Sequence, residues 1–221
     1  MNILEKIIEH KKVEVAVAKQ QQPAGLLQQL PGFSRQTYSL KQFLQDESKT
    51  GIIAEFKRQS PSKGMINDTA DVVAVTKAYA EYGASCLSVL TDGKFFGGSN
   101  EDLQKARVNK IPILRKEFII DEYQVLEAKA IGADVILLIA ACLSPERVKE
   151  LAVYAKKLGL EVLLEIHNED ELQHICEDTE IVGVNNRDLR TFTVDINRSI
   201  ELSKKIPGDK IKIAESGIHD V

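Results

Sequence analysis

The sequence predicts an α/β fold built on a parallel β-sheet, and two patterns in its 221 residues carry this prediction. From Gly51 onward, short β-branched runs typical of strands alternate with longer amphipathic stretches of helical period. Strands separated by helices pair in parallel through right-handed crossovers. The run VILLIA at 135–140 is apolar throughout, which is typical of a strand buried on both faces of its sheet.

The predicted strands and helices follow one another in regular alternation. The strands are Ile52–Phe56, Ser85–Leu90, Ile111–Arg115, Asp134–Ile139, Glu161–Ile166, Ile181–Val184 and Ile211–Ala214. The helices are Asp71–Tyr82, Asn100–Asn109, Asp121–Ile131, Ser144–Leu158, Asn168–Cys176 and Ile196–Lys205. Each of the first five helices opens on Asp, Asn or Ser, which are good N-cap residues. Gly83, Gly132 and Gly159 each follow a helix, where a left-handed residue commonly ends it.

Two architectures fit this alternation, an open doubly wound sheet and a closed (β/α)₈ TIM barrel. A GxGxxG segment after the first strand would favour the open sheet, but neither it nor a GxxxxGK[ST] loop is present. Polar residues gather at the C-terminal ends of the predicted strands, where barrels place their active sites. The sequence therefore favours the barrel, with the open sheet as the alternative.

Both ends of the sequence depart from the repeating pattern. Residues 1–50 precede the first strand and are interpreted as an N-terminal helical extension, packed on the barrel or across its mouth. Residues 51–221 are predicted to form the barrel. The sequence stops at Val221, soon after the seventh strand, whereas a closed barrel needs eight. We therefore expect the eighth βα unit to be missing, either because these residues belong to a longer parent or because the protein is naturally shortened.

Composition excludes several classes of protein. The net charge of −4 lacks the basic excess of a nucleic-acid-binding chain, so no nucleic-acid partner is expected. No apolar run approaches the roughly 18–20 residues that a membrane span needs, and the N-terminus lacks a signal peptide's apolar stretch. Three cysteines at unrelated spacings (Cys86, Cys142 and Cys176) argue for reduced thiols. A cytoplasmic monomer or weak oligomer without a membrane partner is expected.

Charged side chains end the first predicted strand on its inward face. Ile53, Glu55 and Lys57 are spaced two apart and so share one face. Buried charges are costly unless they are paired or used in chemistry. A structural Glu55–Lys57 ion pair is one interpretation, and a pair of functional groups is the other. The following loop, which contains Ser60 and Lys63, is small and basic enough to hold a phosphate or carboxylate.

Similar polar groups follow the later strands. Lys116 and Glu165 lie two residues past apolar inward positions, and burial would disfavour the ammonium form of Lys116 and make it a better proton donor. The alternative is that Lys116 is an ordinary surface lysine. The other candidates at strand ends are Asn185, Arg187, Glu215, Ser216 and Gly217. Phe95 supplies an aromatic surface, either for a substrate ring or merely to cover the barrel.

Metal chemistry finds no support in the pattern of histidines and cysteines. His10, His167, His174 and His219 show no metal-ligand spacing, and Cys142 is interpreted as a buried structural thiol. We therefore predict no metal site.

Taken together, these blocks resemble the indole-3-glycerol phosphate synthase family of tryptophan biosynthesis. The similar blocks are 53–58 with 60–64, 87–92 with 94–99, 114–124, 132–134, 165–167, 183–189 and 214–218, in order along nearly the whole chain. The resemblance implies a (β/α)₈ barrel with an N-terminal helical segment. It also implies a carboxy-lyase that closes the indole ring of 1-(2-carboxyphenylamino)-1-deoxyribulose 5-phosphate, with loss of carbon dioxide and water and without a cofactor.

The resemblance also implies roles for individual residues. Lys116 matches the general acid, and Lys57 matches a second lysine that neutralises negative charge or assists dehydration. Glu165 matches the carboxylate that abstracts a proton, and Glu55 matches one that positions the lysines. The matching pocket residues are Asn185, Arg187, Glu215 and Ser216, with Ser60 and Gly217 at anion-holding positions. The alternatives are another phosphate-binding barrel, such as an isomerase of phosphoribosyl substrates, and a non-catalytic relic.

Overall fold

The computed structural model describes residues 2–188 and 193–218, so Leu189, His219 and Val221 lie outside the described residues. The strands are β1 Ile53–Phe56, β2 Gln59–Ser60, β3 Gly64–Met65, β4 Cys86–Leu90, β5 Ile113–Lys116, β6 Val135–Ile139, β7 Glu161–Ile166, β8 Ile181–Asn185 and β9 Ile211–Glu215. The helices are α1 Ile3–Gln21, α2 Ala24–Leu27, α3 Leu40–Leu44, α4 Val72–Glu81, α5 Gly93–Phe96, α6 Asn100–Ala106, α7 Glu122–Ile131, α8 Pro145–Lys157 and α9 Asn197–Ser203. Two 3₁₀ segments cover Ala140–Cys142 and Glu169–His174.

Within these residues, seven strands form one parallel sheet in the order β1-β4-β5-β6-β7-β8-β9. Each of the seven strands predicted from the sequence is present, and the predicted α/β class is confirmed. β2 and β3 form a separate antiparallel hairpin inside the loop after β1, which the sequence analysis did not predict.

The sheet curls around an interior rather than lying flat. Lys116 ends β5 and Glu215 ends β9, yet the lysine Nζ lies 2.8 Å from the glutamate Oε2. In a flat sheet these two strands would stand about 19 Å apart, at four spacings of about 4.8 Å. Groups at the C-terminal ends of non-adjacent strands therefore meet inside one hollow, as a barrel requires.

Alternation along each strand separates two apolar layers. Inward residues such as Leu114, Leu137 and Leu163 pack with one another in the barrel interior. Outward residues pack beneath the helices in the larger core, which includes Leu87, Val89, Ile113, Ile136, Leu138, Val162, Leu164 and Val182. Because side chains two apart share a face, the inward positions at the strand ends project into the same hollow.

Two local predictions are wrong. Residues 168–176 do not form an α-helix: only Glu169–His174 winds, and it winds as a 3₁₀ segment, a form suited to short pieces. Asn100 is not the N-cap of α6. Ser99 has the extended backbone of a cap and its side chain accepts a hydrogen bond from the Asp102 N–H, while the Asn100 side chain contacts Arg115.

The segment before β1 is attached to the barrel at both ends of the sheet. At the N-terminal ends of the strands, the fully buried Asp134 binds the Arg35 guanidinium at 2.7 Å and the Tyr38 N–H at 2.8 Å. At the C-terminal ends, α1 inserts the fully buried Lys11 beside Asp92, with 2.9 Å between Nζ and Oδ2. The division into an extension of residues 1–50 and a barrel stays a prediction. No helix among the described residues is both long and apolar enough to span a membrane.

Candidate active site

Lys116 lies at the centre of a charged cluster in the hollow. Its Nζ donates a hydrogen bond to Oε2 of Glu215 at 2.8 Å and another to Oε2 of Glu165 at 3.2 Å. The lysine side chain is 19% exposed, and the two carboxylate side chains are 4% and 15% exposed for Glu165 and Glu215. The ammonium is therefore held between two carboxylates and still reaches the opening of the hollow.

The electrostatics of Lys116 differ from the expectation drawn from the sequence. Burial alone would lower its pKa, but the charges of Glu215, Glu165 and Glu55 outweigh burial and raise the pKa above its ordinary value. The expectation that shielding from water makes Lys116 a readier acid is therefore wrong for the protein without substrate. Its counterions ensure instead that Lys116 carries a proton throughout the neutral range.

The pKa values of the two carboxyl groups beside Lys116 are shifted in opposite directions. Burial opposes ionisation of Glu165, but Lys116 and His167 together hold its pKa below the ordinary range. Glu165 also accepts a hydrogen bond from Asn185 Nδ2 at 3.0 Å. The pKa of Glu215 is raised, because burial and the Glu165 charge together outweigh the attraction of Lys116. Pairs of carboxyl groups whose pKa values differ in this way are typical of sites that need both a base and an acid.

Gly183 makes room for this arrangement. It lies on β8, and a Cβ atom built at this position would overlap Oε1 of Glu215. The absence of a side chain therefore allows the Glu215 carboxylate to cross toward Lys116. The sequence analysis did not single out Gly183 for this role.

Glu55 and Lys57 form the second charged pair of the hollow. Lys57 Nζ binds Oε1 of Glu55, and their side chains are 30% and 33% exposed. The ion-pair interpretation of these two residues is thus correct as far as their contact goes. The Glu55 charge also acts on both Lys116 and Glu215, so the pair belongs to the same charged cluster. A purely structural pair elsewhere in the barrel would not have this effect.

The loops after β8 and β9 bring further predicted residues to the rim of the hollow, which is the end of the barrel where the C-termini of the strands lie. Asn185 accepts a hydrogen bond from the Arg187 N–H at 2.9 Å, which fixes the start of that loop. Asn186 donates from Nδ2 to the Ser216 carbonyl at 3.1 Å and so joins the two loops. Ser216 and Gly217 both have positive φ, of 66° and 73°. This left-handed conformation is strained for serine.

Ser60 and Phe95 lie on the loops after β1 and β4, and their described contacts remain within those loops or with α1. The buried Ser60 hydroxyl accepts a hydrogen bond from the Lys63 N–H at 3.2 Å. The Phe95 ring packs edge-on against His10 of α1, with centroids 5.8 Å apart. Asp92 sets the position of Phe95 by accepting its N–H at 2.7 Å. Both residues thus lie near the rim, outside the charged cluster itself.

Three groups that the sequence analysis left out of the site belong to its surroundings: Gly183, Asn186 and His167. His167 follows Glu165 by two residues, and its Nε2 lies 3.1 Å from Oε1 of that glutamate. The period-two alternation that placed Glu165 inward would have placed His167 there as well. Histidines were considered only as metal ligands. Among the described residues there is no group of three or more His, Cys, Asp or Glu arranged to hold a metal ion.

Comparisons with known proteins agree with the fold. A family model described as indole-3-glycerol phosphate synthase matches residues 4–221. An indole-3-glycerol phosphate synthase of Bacteroides thetaiotaomicron is 48% identical over 220 residues, covering 99% of this chain and 84% of the relative. A protein of the same name from Chlorobium chlorochromatii is 41% identical over 222 residues, covering 99% of this chain and 86% of the relative.

A solved structure supports the architecture alone. A chain in a structure of the tryptophan synthase a2b2 complex from Pyrococcus furiosus superposes with a TM-score of 0.51 at 16% identity. The superposition covers 76% of this chain and 78% of the other. Together with the family match and the two relatives, the curled parallel sheet leads to one conclusion. The chain belongs to the indole-3-glycerol phosphate synthase family.

Proposed function

We propose that this chain is a carboxy-lyase that closes the indole ring of 1-(2-carboxyphenylamino)-1-deoxyribulose 5-phosphate. The products are indole-3-glycerol phosphate, carbon dioxide and water. The observation that carries the proposal is the Lys116 ammonium between Glu165 and Glu215, at 3.2 Å and 2.8 Å. One fixed proton donor flanked by two carboxyl groups of different acidity suits a reaction that both gives and removes protons.

Lys116 acts as the general acid in this proposal. The substrate's carbonyl oxygen accepts a hydrogen bond from the ammonium while the aromatic ring carbon attacks the carbonyl carbon. As the new carbon–carbon bond forms, the oxygen gains the negative charge of an alkoxide and takes the proton from Lys116. Because its pKa is raised, Lys116 enters the reaction fully protonated. The charge develops only during the attack, so the interaction is strongest in the transition state.

The remaining steps use the carboxylates and the second lysine. Loss of carbon dioxide from the attacking ring carbon, which carried the carboxyl group, returns the electron pair of the broken bond to the ring system. Glu165 then removes a proton from the carbon that lies between the ring nitrogen and the former carbonyl carbon, and a carbon–carbon double bond forms as the hydroxyl group leaves. Lys57 donates a proton to this hydroxyl group, so that it leaves as water, and Glu55, its ion-pair partner, positions the lysine. One carbon dioxide and one water leave for each ring closed, so the atoms balance.

The outer residues are assigned to substrate binding. The backbone at Ser216 and Gly217 and the Ser60 hydroxyl would hold the phosphate, because N–H groups in left-handed turns form anion-binding concavities. Phe95 would cover the aromatic ring of the substrate. Asn185, Arg187 and Glu215 would line the pocket between these two ends. We place this activity in the cytoplasm, which agrees with three free cysteines, and propose a monomer or weak oligomer that binds only its small phosphorylated substrate.

A fluorescence assay tests the proposed function. The purified chain is incubated with 1-(2-carboxyphenylamino)-1-deoxyribulose 5-phosphate, and the appearance of indole fluorescence is followed together with release of carbon dioxide. We expect both signals to rise at the same rate, because ring closure and decarboxylation belong to one reaction. A folded chain that binds the compound without forming the indole product would contradict the proposal and favour a non-catalytic relic.

A further inference from the structure

His167 occupies a position that the steps above do not use. It lies immediately after β7, and its side chain is 8% exposed. Its ring Nε2 faces Oε1 of Glu165 at 3.1 Å, while its ring Nδ1 faces Oε2 of Glu171 at 3.2 Å. The imidazole therefore joins Glu165 to a second carboxylate on the 3₁₀ segment that covers Glu169–His174.

The two carboxylates favour a proton on each ring nitrogen, because Nδ1 is hydrogen-bonded to Glu171 and Nε2, although not aligned for a hydrogen bond, lies within ion-pair distance of Glu165. An ionised carboxylate only accepts hydrogen bonds, and a neutral imidazole has one N–H and one bare nitrogen. A neutral ring would therefore turn a lone pair toward one of the two carboxylates. Lys116 and Asn185 already donate to Glu165, which keeps that carboxyl in its ionised form. The remaining proton consequently belongs to the histidine.

Glu171 is fixed in place independently of the ring. It accepts the His167 backbone N–H at 2.7 Å through the same oxygen that faces Nδ1, and Asn168 Nδ2 at 2.8 Å through the other. A carboxylate held by two other donors is a firm anchor for the imidazole. The opposite edge of the ring thereby lies beside Glu165, with Nε2 within ion-pair distance of Oε1.

We propose that His167 is a positioning residue for the reaction: as an imidazolium anchored by Glu171, it keeps Glu165 ionised and oriented. This inference rests on the proposed role of Glu165 as the base. A raised pKa of about 9 for His167 agrees with it, since the two carboxylates outweigh the effect of burial. The other titratable or charged side chains around the cavity that His167 lines are Glu5, Glu9, Cys142, Asp170, Asp188 and Arg198.

Nuclear magnetic resonance of the ring nitrogens tests the ionisation directly, without turnover. The His167 signals are assigned by their loss in His167→Asn. We expect both nitrogens to be protonated at pH 7.5, with deprotonation near pH 9. The Glu171→Gln and Glu165→Gln variants should each lower that titration midpoint, because each removes one negative charge. A neutral ring at pH 7.5, or a midpoint that neither variant moves, would overturn the proposal.

The pH profile of kcat/KM tests the effect on Glu165. Without the neighbouring cation the pKa of Glu165 rises. The fall of kcat/KM on the acidic side of the pH profile, its acidic limb, should therefore move up by about one pH unit or more in His167→Asn. His174→Asn is the matched control, because His174 is buried in the neighbouring 3₁₀ segment and its described hydrogen bonds are to the carbonyls of Glu171 and Leu143. That variant should lower the melting temperature and leave the limb unchanged.

The two readouts separate the possible failures. A limb that stays at the wild-type pH in a folded His167→Asn variant would refute the positioning role. If His167→Asn does not fold, the same limb is measured in Glu171→Gln, where it should also move upward. If the wild-type chain forms no indole product, the proposed function fails, and the resonance experiment alone decides the ionisation of His167.

Discussion

Replacing Lys116 with alanine should lower kcat by about 10²–10⁴-fold, the range typical for loss of a general acid. The ammonium lies between Glu165 and Glu215, at 3.2 Å and 2.8 Å, and without it the substrate oxygen must take its proton from water. Binding should change little, because the proposed contacts of the phosphate and the aromatic ring are with other residues at this end of the barrel. Such a variant loses an interaction that matters mainly in the transition state.

Turnover and binding are measured separately for Lys116→Ala. Indole fluorescence gives kcat, and titration of the variant with substrate gives the dissociation constant. Lys12→Ala serves as a control, because Lys12 is an exposed lysine of α1 whose described ion pair is with Glu9. The control should behave like the wild type. A folded Lys116→Ala variant with wild-type kcat would remove the proposed general acid.

Replacing Lys11 with methionine should lower the free energy of unfolding by about 3–5 kcal/mol, as expected when one partner of a buried ion pair is removed. The Lys11 side chain is fully buried, and its Nζ lies 2.9 Å from Asp92, 3.0 Å from Glu117 and 2.9 Å from Glu14. Methionine would leave Asp92 and Glu117 buried without their shared cation. Glu117 directly follows Lys116, so the rim of the hollow should loosen along with α1.

The stabilisation from Lys11 should depend on pH in a defined direction. The charges of Glu117 and Asp92 outweigh burial and raise the pKa of Lys11, while Lys11 and Arg115 outweigh burial and lower the pKa of Glu117. A lowered carboxyl pKa stabilises the fold above the unfolded value, roughly pH 4.3 for glutamate, and this is lost on acidification. A raised lysine pKa stabilises it below the unfolded value, roughly 10.4, and this is lost at higher pH.

Urea unfolding of wild type, Lys11→Met and Lys12→Met measures this contribution. Lys12 is the matched control because it is the next residue of α1 and its side chain is 60% exposed. Between about pH 5 and pH 9 the Lys11 variant should unfold at clearly lower urea than both others, and the gap should narrow in acid. Equal midpoints for the two variants would show that the buried cluster does not stabilise the fold.

The fold was predictable because its strands follow a simple rule. Continuous apolar runs such as Val135–Ile139 form strands because both faces of the sheet are buried, one in the barrel interior and the other beneath the helices, and helix caps such as Asp121 and Gly132 mark the boundaries. Residues 168–176 were predictable as a helical stretch, but their 3₁₀ form was not predictable. Six wound residues are too few for helical periodicity to distinguish one type of helix from another.

The members of the site were partly predictable, but their electrostatics were not. Alternation within a strand placed Glu55, Lys116 and Glu165 on inward faces. Which charges lie beside Lys116 depends on how strongly the sheet curls, and this alone brings Glu215 within 2.8 Å. The sign of the pKa shift of Lys116 follows from those neighbours, so burial inferred from the sequence led to the opposite direction.

The burial of Lys11 could have been predicted from its position in α1. The buried face of α1 consists of Ile7, Lys11 and Val15, which are spaced by four residues. A lysine in the middle of an apolar helical stripe predicts a buried acidic partner. The identity of that partner was not predictable, because Asp92 and Glu117 belong to loops far along the chain.

A double-mutant cycle on Lys116 and Glu165 tests most directly whether groups from different strands act together on one substrate. The values of kcat for ring closure are measured for the wild type, Lys116→Ala, Glu165→Gln and the double variant. If the two residues serve one reaction, the double variant should be about as slow as the slower single variant. A double variant whose loss of kcat is the product of the two single losses would contradict a shared site. A Glu165→Gln variant with the kcat of the wild type would also contradict it.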